Sequence, residues 1–250
     1  MGIVYVAAIK AYRLYTFFSS PHKLVTRTTC TRFFRENSQC PIILEIGGGN
    51  AMMRPILQKA CRYEWYISSD IDPGDQTGLV CDAQQLPFPS SSFDMVAAFE
   101  VIEHIPNTDD FLAEIVRVLK PGGYAVFSMP FIYGRHDFQD YYRWTAQGLE
   151  RIMNLHGMEI SIIKKRGGTF LTIVTLILNY IHSILSPNER SWRANGIGKK
   201  LYFAYMTVFL FPLIVLAWIG FGLDLLFDRD SDNASGFVCI VQKTSRSVGK

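Results

Sequence analysis

The sequence lacks a strong charge imbalance and paired cysteines, and each absence excludes a class of protein. Lys and Arg number 25 against 22 Asp and Glu, and no basic cluster is interleaved with aromatic residues. This composition argues against a nucleic-acid-binding surface. The five cysteines are scattered and include no Cys-x-x-Cys pair. Such usage gives no support for a zinc site and indicates reduced thiols in a cytosolic setting.

The N-terminal region lacks the features of a secretory leader or a lipidation site. The apolar run from Ile3 to Ile9 has no basic residue before it, unlike a signal peptide. Val6 stands where a myristoylation site needs Ser or Thr. Neither form of targeting is therefore expected.

Residues 3–19 are predicted to form a helix with an aromatic-rich face. A packing helix, a lid over the ligand site and a membrane anchor are the open interpretations of this face. Pro21 would end the helix. Residues 22–40 are polar and basic, so they are expected to be a connection into the core.

An apolar run that ends in a carboxylate and three glycines is the most informative stretch. Ile42 to Glu45 is predicted as a buried parallel strand, because the run is rich in β-branched residues and unbroken. Gly47, Gly48 and Gly49 then allow a tight turn in which a ligand lies against bare backbone. A helix from Met52 to Ala60 would point its N-terminal amides at that ligand. A structural turn explains the glycines equally well unless downstream residues complete a nucleotide pocket.

Carboxylates follow the next two predicted strands. Trp65 to Asp70 is the second strand, and Asp70 lies a little over twenty residues after the glycine turn. At that separation an acidic residue can accept two hydrogen bonds from a ribose diol. Residues 71–78 are too few for a helical crossover, so an irregular loop and a very short third strand at Leu79 to Cys81 are expected. Asp82 follows this strand.

The rest of the core pattern alternates strands with helices. Further strands are predicted at 93–98, 124–129, 158–165 and 237–241, and helices at 109–119 and 145–155. The pattern predicts an α/β fold, a Rossmann-like, mostly parallel seven-stranded sheet with helices on both faces. Ligands of such sheets bind at the carboxyl ends of the strands. Glu45, Asp70 and Asp82, each near such an end, predict a nucleoside pocket together with the glycine turn.

These residues resemble the class I S-adenosylmethionine-dependent methyltransferases, especially the type 11 methyltransferase domain. The resemblance rests on Leu44-Glu45-Ile46-Gly47-Gly48-Gly49, Asp70-Ile71-Asp72-Pro73, Asp82-Ala83 with Leu86-Pro87-Phe88, Ser92-Phe93-Asp94, Glu103-His104-Ile105 and Leu119-Lys120-Pro121-Gly122-Gly123. The segments span residues 42–165 in the family's order, and 235–243 would supply the last strand. An NAD-binding Rossmann domain is the competing interpretation, but it leaves the Leu-Pro-Phe and Glu-His-Ile segments without a role.

The resemblance implies S-adenosylmethionine as the cofactor and a set of residues that bind it. Gly47 and Gly49 would lie against the methionine portion, and Asp70 would bind the ribose. Asp82 would approach the adenine amine, with the backbone of Ala83 beside it. The full predicted set is Glu45, Gly47, Gly48, Gly49, Asp70, Ile71, Asp82, Ala83 and Glu100, of which Glu100 would line the methionine moiety. Ala51 departs from the family, since many members carry a third glycine there.

Methyl transfer from a sulfonium needs an in-line nucleophile, and a hydroxyl acceptor benefits from a base. The predicted catalytic candidates are His136, Asp140 and His104. A helix cap or brace is the alternative role for His104, and an ion pair with Arg143 is the alternative for Asp140. Loop polarity alone would also explain His136.

No metal is predicted in the site, but one alternative stays open. Glu100, Glu103 and His104 resemble the Glu-x-x-Glu-His of ubiquinone-pathway O-methyltransferases, in which the group can hold a divalent metal. A motif at the start of a helix explains the same residues.

Two uncharged stretches separate the sixth and seventh predicted strands. They run from Gly167 to Ser186 and from Leu201 to Leu223. Each is close to the ~20 residues that cross a bilayer core and shows no polar stripe, which favours a membrane location. Lys and Arg flank both sides, so no orientation is preferred, and embedding in one leaflet is expected rather than a full crossing. A hydrophobic dimer interface is the alternative.

These patterns divide the chain into three parts. Residues 1–40 would form the N-terminal helix and connection, 41–166 with 234–245 the methyltransferase domain, and 167–233 an inserted membrane-associating helical hairpin.

The expected function is methyl transfer to oxygen of an amphiphilic or lipid-linked acceptor, with the catalytic domain on the cytoplasmic side of a membrane. A glycolipid, a polyprenyl-linked sugar, a quinone and a lipid head group are the candidate acceptors. No nucleic-acid partner is expected, and a homo-oligomer is left open. The alternative is a membrane-anchored binding or scaffold protein that keeps the cofactor fold without catalysis.

Overall fold

The part of the chain that the structure describes alternates strands with helices. This computed structural model describes residues 21–37, 42–49, 54, 63–74, 77–135, 137–185, 215–228 and 232–244. The elements are α1 (Pro21–Asn37), β1 (Ile42–Ile46), β2 (Trp65–Asp70), β3 (Leu79–Val80), β4 (Phe93–Phe99), a 3₁₀ turn (Ile102–His104), α2 (Thr108–Val118), β5 (Leu119–Pro130), α3 (Ala146–Leu155), β6 (Met158–Lys165), α4 (Thr169–Leu185), α5 (215–227) and β7 (Gly236–Lys243). The helix predicted at 3–19, and the one at 52–60 apart from Arg54, lie outside these residues.

The seven strands form one sheet in the order β3-β2-β1-β4-β5-β7-β6. All neighbouring pairs are parallel except β7, which runs antiparallel to both β5 and β6. This confirms the predicted seven-stranded, mostly parallel sheet. The chain proceeds outward from β1 to β3 on one side and from β4 to β5 on the other. The carboxyl ends of β1 and β4 therefore flank the topological switch point, where such sheets bind ligands.

Helices cover both faces of the central strands. Successive residues of a strand point to opposite faces, so Val126 and Phe127 of β5 face different layers. Val126 belongs to a buried cluster with Phe33 and Phe34 of α1. On the other face the ring of Phe111 in α2 lies 6.4 Å from that of Phe127. Because both faces are covered, β1 and β4 are apolar almost throughout, as buried parallel strands are.

The expectation that residues 22–40 form a connection is wrong. They contain α1, which runs from Pro21 to Asn37. Cys30 and Phe34 are fully buried, and the ring of Phe33 lies 4.9 Å from that of Tyr124. The apolar face is narrow and is flanked by Thr, Arg and Lys, so the amphipathic pattern of the helix is weak. Packing against the sheet is what stabilises the helix.

Element boundaries otherwise differ by a few residues from those predicted. The largest difference is in β5, which begins at Leu119 and includes the Lys-Pro-Gly-Gly segment expected only to end the preceding helix. That helix does end at Val118. The pairing of β4 with β5 then shifts register between Phe93 and Met95 before continuing regularly. The glycine segment thus forms an irregular start to the strand.

A second compact unit contains α4 and α5. Of the described chain it also includes residues 21–24, 132–134, 166–168, 228 and 232–235. Asp224 of α5 is 7% exposed, and its carboxylate accepts hydrogen bonds from the amides of Gly168 (2.7 Å), Phe170 (2.7 Å) and Leu171 (3.1 Å). Asp228 accepts from the amide of Thr169. The two carboxylates therefore satisfy four amides at the start of α4, which have no partner within the helix.

Within the described residues, no helix has the length and apolar character needed to cross a membrane. α4 has 17 residues. Residues 201–214 of the second uncharged stretch lie outside the described part, and α5 continues past that stretch to residue 227. The inserted membrane-associating hairpin stays a prediction.

We predict that Asp224→Ala lowers the free energy of unfolding by about 2–4 kcal/mol, because three amides lose hydrogen bonds to a buried charged acceptor. Urea denaturation followed by circular dichroism measures the change. Asp232→Ala, at an exposed position outside the helices, is the matched control and is expected to change stability by less than about 0.5 kcal/mol. Equal losses in the two variants would contradict a capping role for Asp224.

Candidate active site

The glycine turn after β1 is held by backbone and side-chain contacts that leave no space for further side chains. Gly47 has φ +72°, and a Cβ added there would lie 2.3 Å from Cγ2 of Val101. The Gly48 amide donates to the Ser69 carbonyl at 3.0 Å, and the Ser68 hydroxyl donates to the Gly48 carbonyl at 2.9 Å. The turn is thereby tied to β2 and packed against the segment that follows β4. Only glycine fits at Gly47, because both its conformation and its surroundings exclude a side chain.

The carboxylate of Asp70 closes the same turn. Asp70 is the last residue of β2, and its Oδ2 accepts a hydrogen bond from the Gly49 amide at 2.8 Å. The irregular loop after β2 lies against the turn, since a Cβ at Gly74 would be 2.4 Å from the Gly49 carbonyl oxygen. Thr77 braces this loop by accepting from the Gly74 amide at 2.9 Å. Ile71, also predicted to touch the cofactor, is 63% exposed.

Asp82 and Ala83 follow the short third strand at the same edge of the sheet. The Cys81 amide donates to the Asp70 carbonyl at 2.9 Å, which continues the pairing of β2 with β3. The carboxylate of Asp82 accepts from the Gln84 amide at 2.8 Å and so forms a tight turn. Ala83 lies buried within that turn. Asp70 and Asp82 are thus placed on neighbouring strand ends, as the sequence pattern predicted.

Glu100 lies on the other side of the switch point, directly after β4. Its φ is +55°, an uncommon conformation for a residue with a side chain. The structure holds it there through the Glu100 amide, which donates to the Ser128 carbonyl at 2.8 Å. The Ser128 hydroxyl in turn donates to the Glu100 carboxylate at 2.6 Å. Since Val101 contacts the glycine turn, Glu100 is brought to the same edge as Asp70.

Glu45 is a buried carboxyl immediately beneath the turn. It is 3% exposed, and its Oε2 has no hydrogen-bond partner among the described residues. Burial raises the pKa of Glu45 to about 8, against a smaller lowering by the charge of Arg54. The carboxyl is therefore mostly protonated at neutral pH. A cation that bound beside it would favour its ionised form.

His104 is held by the loop that follows β5. Its Nδ1 contacts the carbonyl of Gln139, and its Nε2 lies 3.7 Å from the carboxylate of Glu103. The Tyr141 amide donates to the Glu103 carbonyl at 2.8 Å, and the Tyr142 hydroxyl to the Pro106 carbonyl at 2.9 Å. These contacts dock the loop after β5 on the turn after β4. They give His104 a bracing role, and its catalytic role stays a prediction.

Asp140 forms an ion pair with Arg143 in that loop. The Asp140 side chain is 1% exposed, and both of its carboxylate oxygens accept from the guanidinium, one of them at 2.7 Å. This hydrogen bonding raises the pKa of Arg143. A carboxylate committed to a guanidinium in this way is a weak general base. The catalytic assignment of Asp140 stays a prediction, and His136 lies outside the described residues.

The metal alternative finds no geometric support in the described part of the chain, where no group of three or more His, Cys, Asp or Glu side chains is arranged to hold an ion. Glu103 is fully buried at the 3₁₀ turn that contains His104. The start-of-helix interpretation of the motif accounts for this position.

Several residues that shape the site were missed by the sequence analysis. They are Ser68, Thr77, Val101, Ser128 and Arg54, which hold the glycine turn, the loop after β2, Glu100 and the environment of Glu45. None belongs to a recognisable local motif. Ser68, Val101 and Ser128 act on residues from a different strand or loop, so only the strand order reveals those contacts.

Comparison with known proteins finds similarity to methyltransferases. The family model described as a methyltransferase domain matches residues 44–127. A fatty-acid O-methyltransferase of Mycolicibacterium smegmatis is 32% identical over 136 residues, which are 49% of this chain and 48% of the relative. A sterol 24-C-methyltransferase of Pneumocystis carinii is 31% identical over 106 residues, covering 41% of this chain and 26% of the relative. The chain thus spans about half, or less, of the length of these curated relatives.

A likeness to solved structures extends over more of the chain. A chain of the solved complex that contains the Haloferax volcanii Trm112 methyltransferase activator superposes with a TM-score of 0.54. The alignment covers 96% of this chain and 97% of that one at 14% identity. At this identity the likeness establishes the Rossmann-like fold and leaves the chemistry to the site.

We predict that Glu45→Gln removes a pH dependence from the folding stability. The unfolded carboxyl ionises above pH 4.5 and the folded one near pH 8, so rising pH destabilises the wild type by about 1.4 kcal/mol per pH unit between these values. Above pH 8 the carboxyl is ionised in both states, so the stability of the wild type falls no further. The variant should therefore gain stability relative to wild type as pH rises from 5 to 8, in urea denaturation series. Glu64→Gln, at an exposed carboxyl, is the control; a parallel profile for Glu45→Gln and wild type would refute the burial effect.

Proposed function

Because the chain contains a class I S-adenosylmethionine-dependent methyltransferase domain, we propose that it transfers a methyl group from S-adenosylmethionine to an oxygen of an amphiphilic acceptor at a membrane surface. The observation that carries the proposal is the Asp70 carboxylate at the end of β2, hydrogen-bonded to the Gly49 amide at the switch point of the sheet. This arrangement places an acceptor for a ribose diol beside a bare turn.

The residues present suit this cofactor. A bare turn at Gly47 to Gly49 lets backbone approach the methionine portion, and the carboxylates of Asp70 and Asp82 suit the ribose hydroxyls and the adenine amine. The buried carboxyl of Glu45 has an oxygen without a hydrogen-bond partner in the described chain, close to the turn. An acidic group there suits a ligand that carries positive charge.

An amphiphilic acceptor is supported by the relatives and by the chain's own composition. The relatives named above act, by their names, on a fatty acid and on a sterol. This chain adds uncharged stretches at residues 167–186 and 201–223, which suit a location beside lipid. We take a glycolipid, a polyprenyl-linked sugar, a quinone or a lipid head group as acceptor. The proposed location of the catalytic domain is the cytoplasmic side of a membrane. The scattered cysteines, with no Cys-x-x-Cys pair, are consistent with this location.

The proposed reaction needs positioning and one proton acceptor. When bound, the cofactor would supply a methyl group on a sulfonium: its C–S bond would break as the new C–O bond formed, and the sulfur would keep the electron pair. The hydroxyl proton of the acceptor passes to a base. His136 is our proposed base, because Asp140 is engaged by Arg143 and His104 by Gln139. The docked loop at 137–143 would hold the acceptor against the carboxyl edge of the sheet.

We predict that Asp70→Ala lowers the affinity for S-adenosylmethionine roughly 10- to 100-fold, because charged hydrogen bonds to the ribose are lost. Isothermal titration of the folded protein measures the dissociation constant. Asp72→Ala removes an exposed carboxylate two residues away and is the matched control, with affinity expected to stay within about twofold of wild type. If the wild-type protein does not bind S-adenosylmethionine, the proposed activity is wrong. If Asp70→Ala binds it as tightly as wild type, the cofactor pocket is not at Asp70.

We predict that His136→Gln lowers kcat about 100-fold or more and abolishes the acidic limb of the pH–rate profile. The assay uses radiolabelled S-adenosylmethionine with a panel of lipid extracts and pure fatty acids, with the methylated product identified by mass spectrometry. Asp140→Asn should instead reduce thermal stability and keep the limb, since its partner is Arg143. If the acidic limb of the pH–rate profile is lost in Asp140→Asn and kept in His136→Gln, Asp140 is the base. If the protein binds the cofactor but methylates no acceptor, the scaffold alternative is favoured.

A further inference from the structure

The polarity of α4 is inverted relative to a helix of a water-soluble domain. Its hydroxyl side chains Thr172 and Thr175 are buried, and they donate to the carbonyls of Gly168 and Leu171, both at 2.7 Å. Leu171 is buried with them, but Ile173 and Ile177 face outward at 50% and 52% exposure. Hydroxyl groups that are satisfied within their own helix, together with outward aliphatic groups, suit contact with hydrocarbon.

The same inversion continues in α5. Its acidic residue Asp224 points inward to the start of α4, while Ile219, Leu226 and Phe227 are 53%, 68% and 72% exposed. Full burial of such a side chain is worth roughly 1.5–3 kcal/mol, and in water each of these would forgo the part that its exposed area represents. The exposed apolar groups of both helices define what we term the outer face, represented by Ile173, Ile177, Ile219, Leu226 and Phe227.

The start of α4 needs no water to satisfy its backbone. The amides of residues 168–171 all donate to the carboxylates of Asp224 and Asp228. Unsatisfied amides cost several kcal/mol in a hydrocarbon environment, so an internally capped helix end suits contact with lipid.

Charge at both flanks of α4 complements an anionic surface. The segment from Thr169 to Leu185 contains no charged residue. Before it stand the exposed Lys164 and the partly exposed Lys165, whereas Arg166 is buried. After it in the sequence come Arg190, Arg193, Lys199 and Lys200, with Glu189 as the one acid between residues 164 and 200. Basic flanks at both ends are expected of a helix that lies along a leaflet, with each end at head-group level.

We infer that the outer face of α4 and α5 binds the surface of an anionic lipid bilayer, with both helices lying in the interfacial layer of one leaflet. The inference rests on the proposed function, in that it names the partner that would bring the enzyme to its acceptor. A second copy of the chain is a poorer occupant, because a two-fold interface on this face would bring equally basic flanks together.

The test is flotation of the full chain with vesicles of equal parts phosphatidylglycerol and phosphatidylcholine. Wild type should float with these vesicles and bind phosphatidylcholine vesicles more weakly. Ile173→Asn with Ile177→Asn should lower the partition coefficient roughly tenfold or more, since two lipid-facing groups become polar. Leu155→Asn is the matched control, because Leu155 is 66% exposed on α3, and it should float like wild type.

Cofactor titration of the same samples separates the two proposals. Variants that bind S-adenosylmethionine normally but do not float support the inference, whereas floating protein without cofactor binding would undo the proposed function alone. Wild type that stays unbound to the anionic vesicles overturns the inference. So does a double variant that floats like wild type. A dimer in light scattering that dissociates on the Ile173 and Ile177 substitutions, with no vesicle binding, would assign the face to a second copy.

Discussion

The hydrogen bond between the Gly49 amide and the Asp70 carboxylate is the contact on which the candidate site depends. It joins the turn after β1 to the end of β2 at 2.8 Å and places the carboxylate next to the turn at the switch point of the sheet. The bond forms only because the turn lacks side chains, since a Cβ at Gly49 would lie 2.6 Å from the same oxygen. The glycine turn and the Asp70 carboxylate therefore form one structural unit, and a ligand can contact both.

The order of the strands places the other residues of the site beside the glycine turn and Asp70. β1 lies between β2 and β4, so the turn meets Asp70 on one side and the Glu100–Val101 segment on the other. The positive φ of Glu100 is maintained by two bonds to Ser128 of β5. Burial of the same central strand keeps Glu45 away from water and raises its pKa. The parallel sheet therefore sets both the geometry and the charge state of the site.

A second requirement, that every buried amide has an acceptor, explains the unit that contains α4 and α5. Asp224 and Asp228 satisfy the start of α4, and Thr172 and Thr175 bond to carbonyls of the same helix. With polar groups committed inward, aliphatic side chains form the exposed surface. An exposed surface of this kind suits the contact with lipid that we propose. The proposed enzyme would in this way reach an acceptor that itself resides in a membrane.

Local pattern alone determined the seven strands, the short β3, the glycine turn and the places of Asp70 and Asp82, because alternation, glycine and spacing act within a few residues of the chain. The tertiary structure decided the rest. Phe33 and Phe34 make α1 a core helix only once the sheet receives them. Val101 reaches the turn, and Asp224 reaches Gly168, across separations of more than fifty residues. Such contacts follow from strand order and helix packing, which no short segment of the sequence encodes.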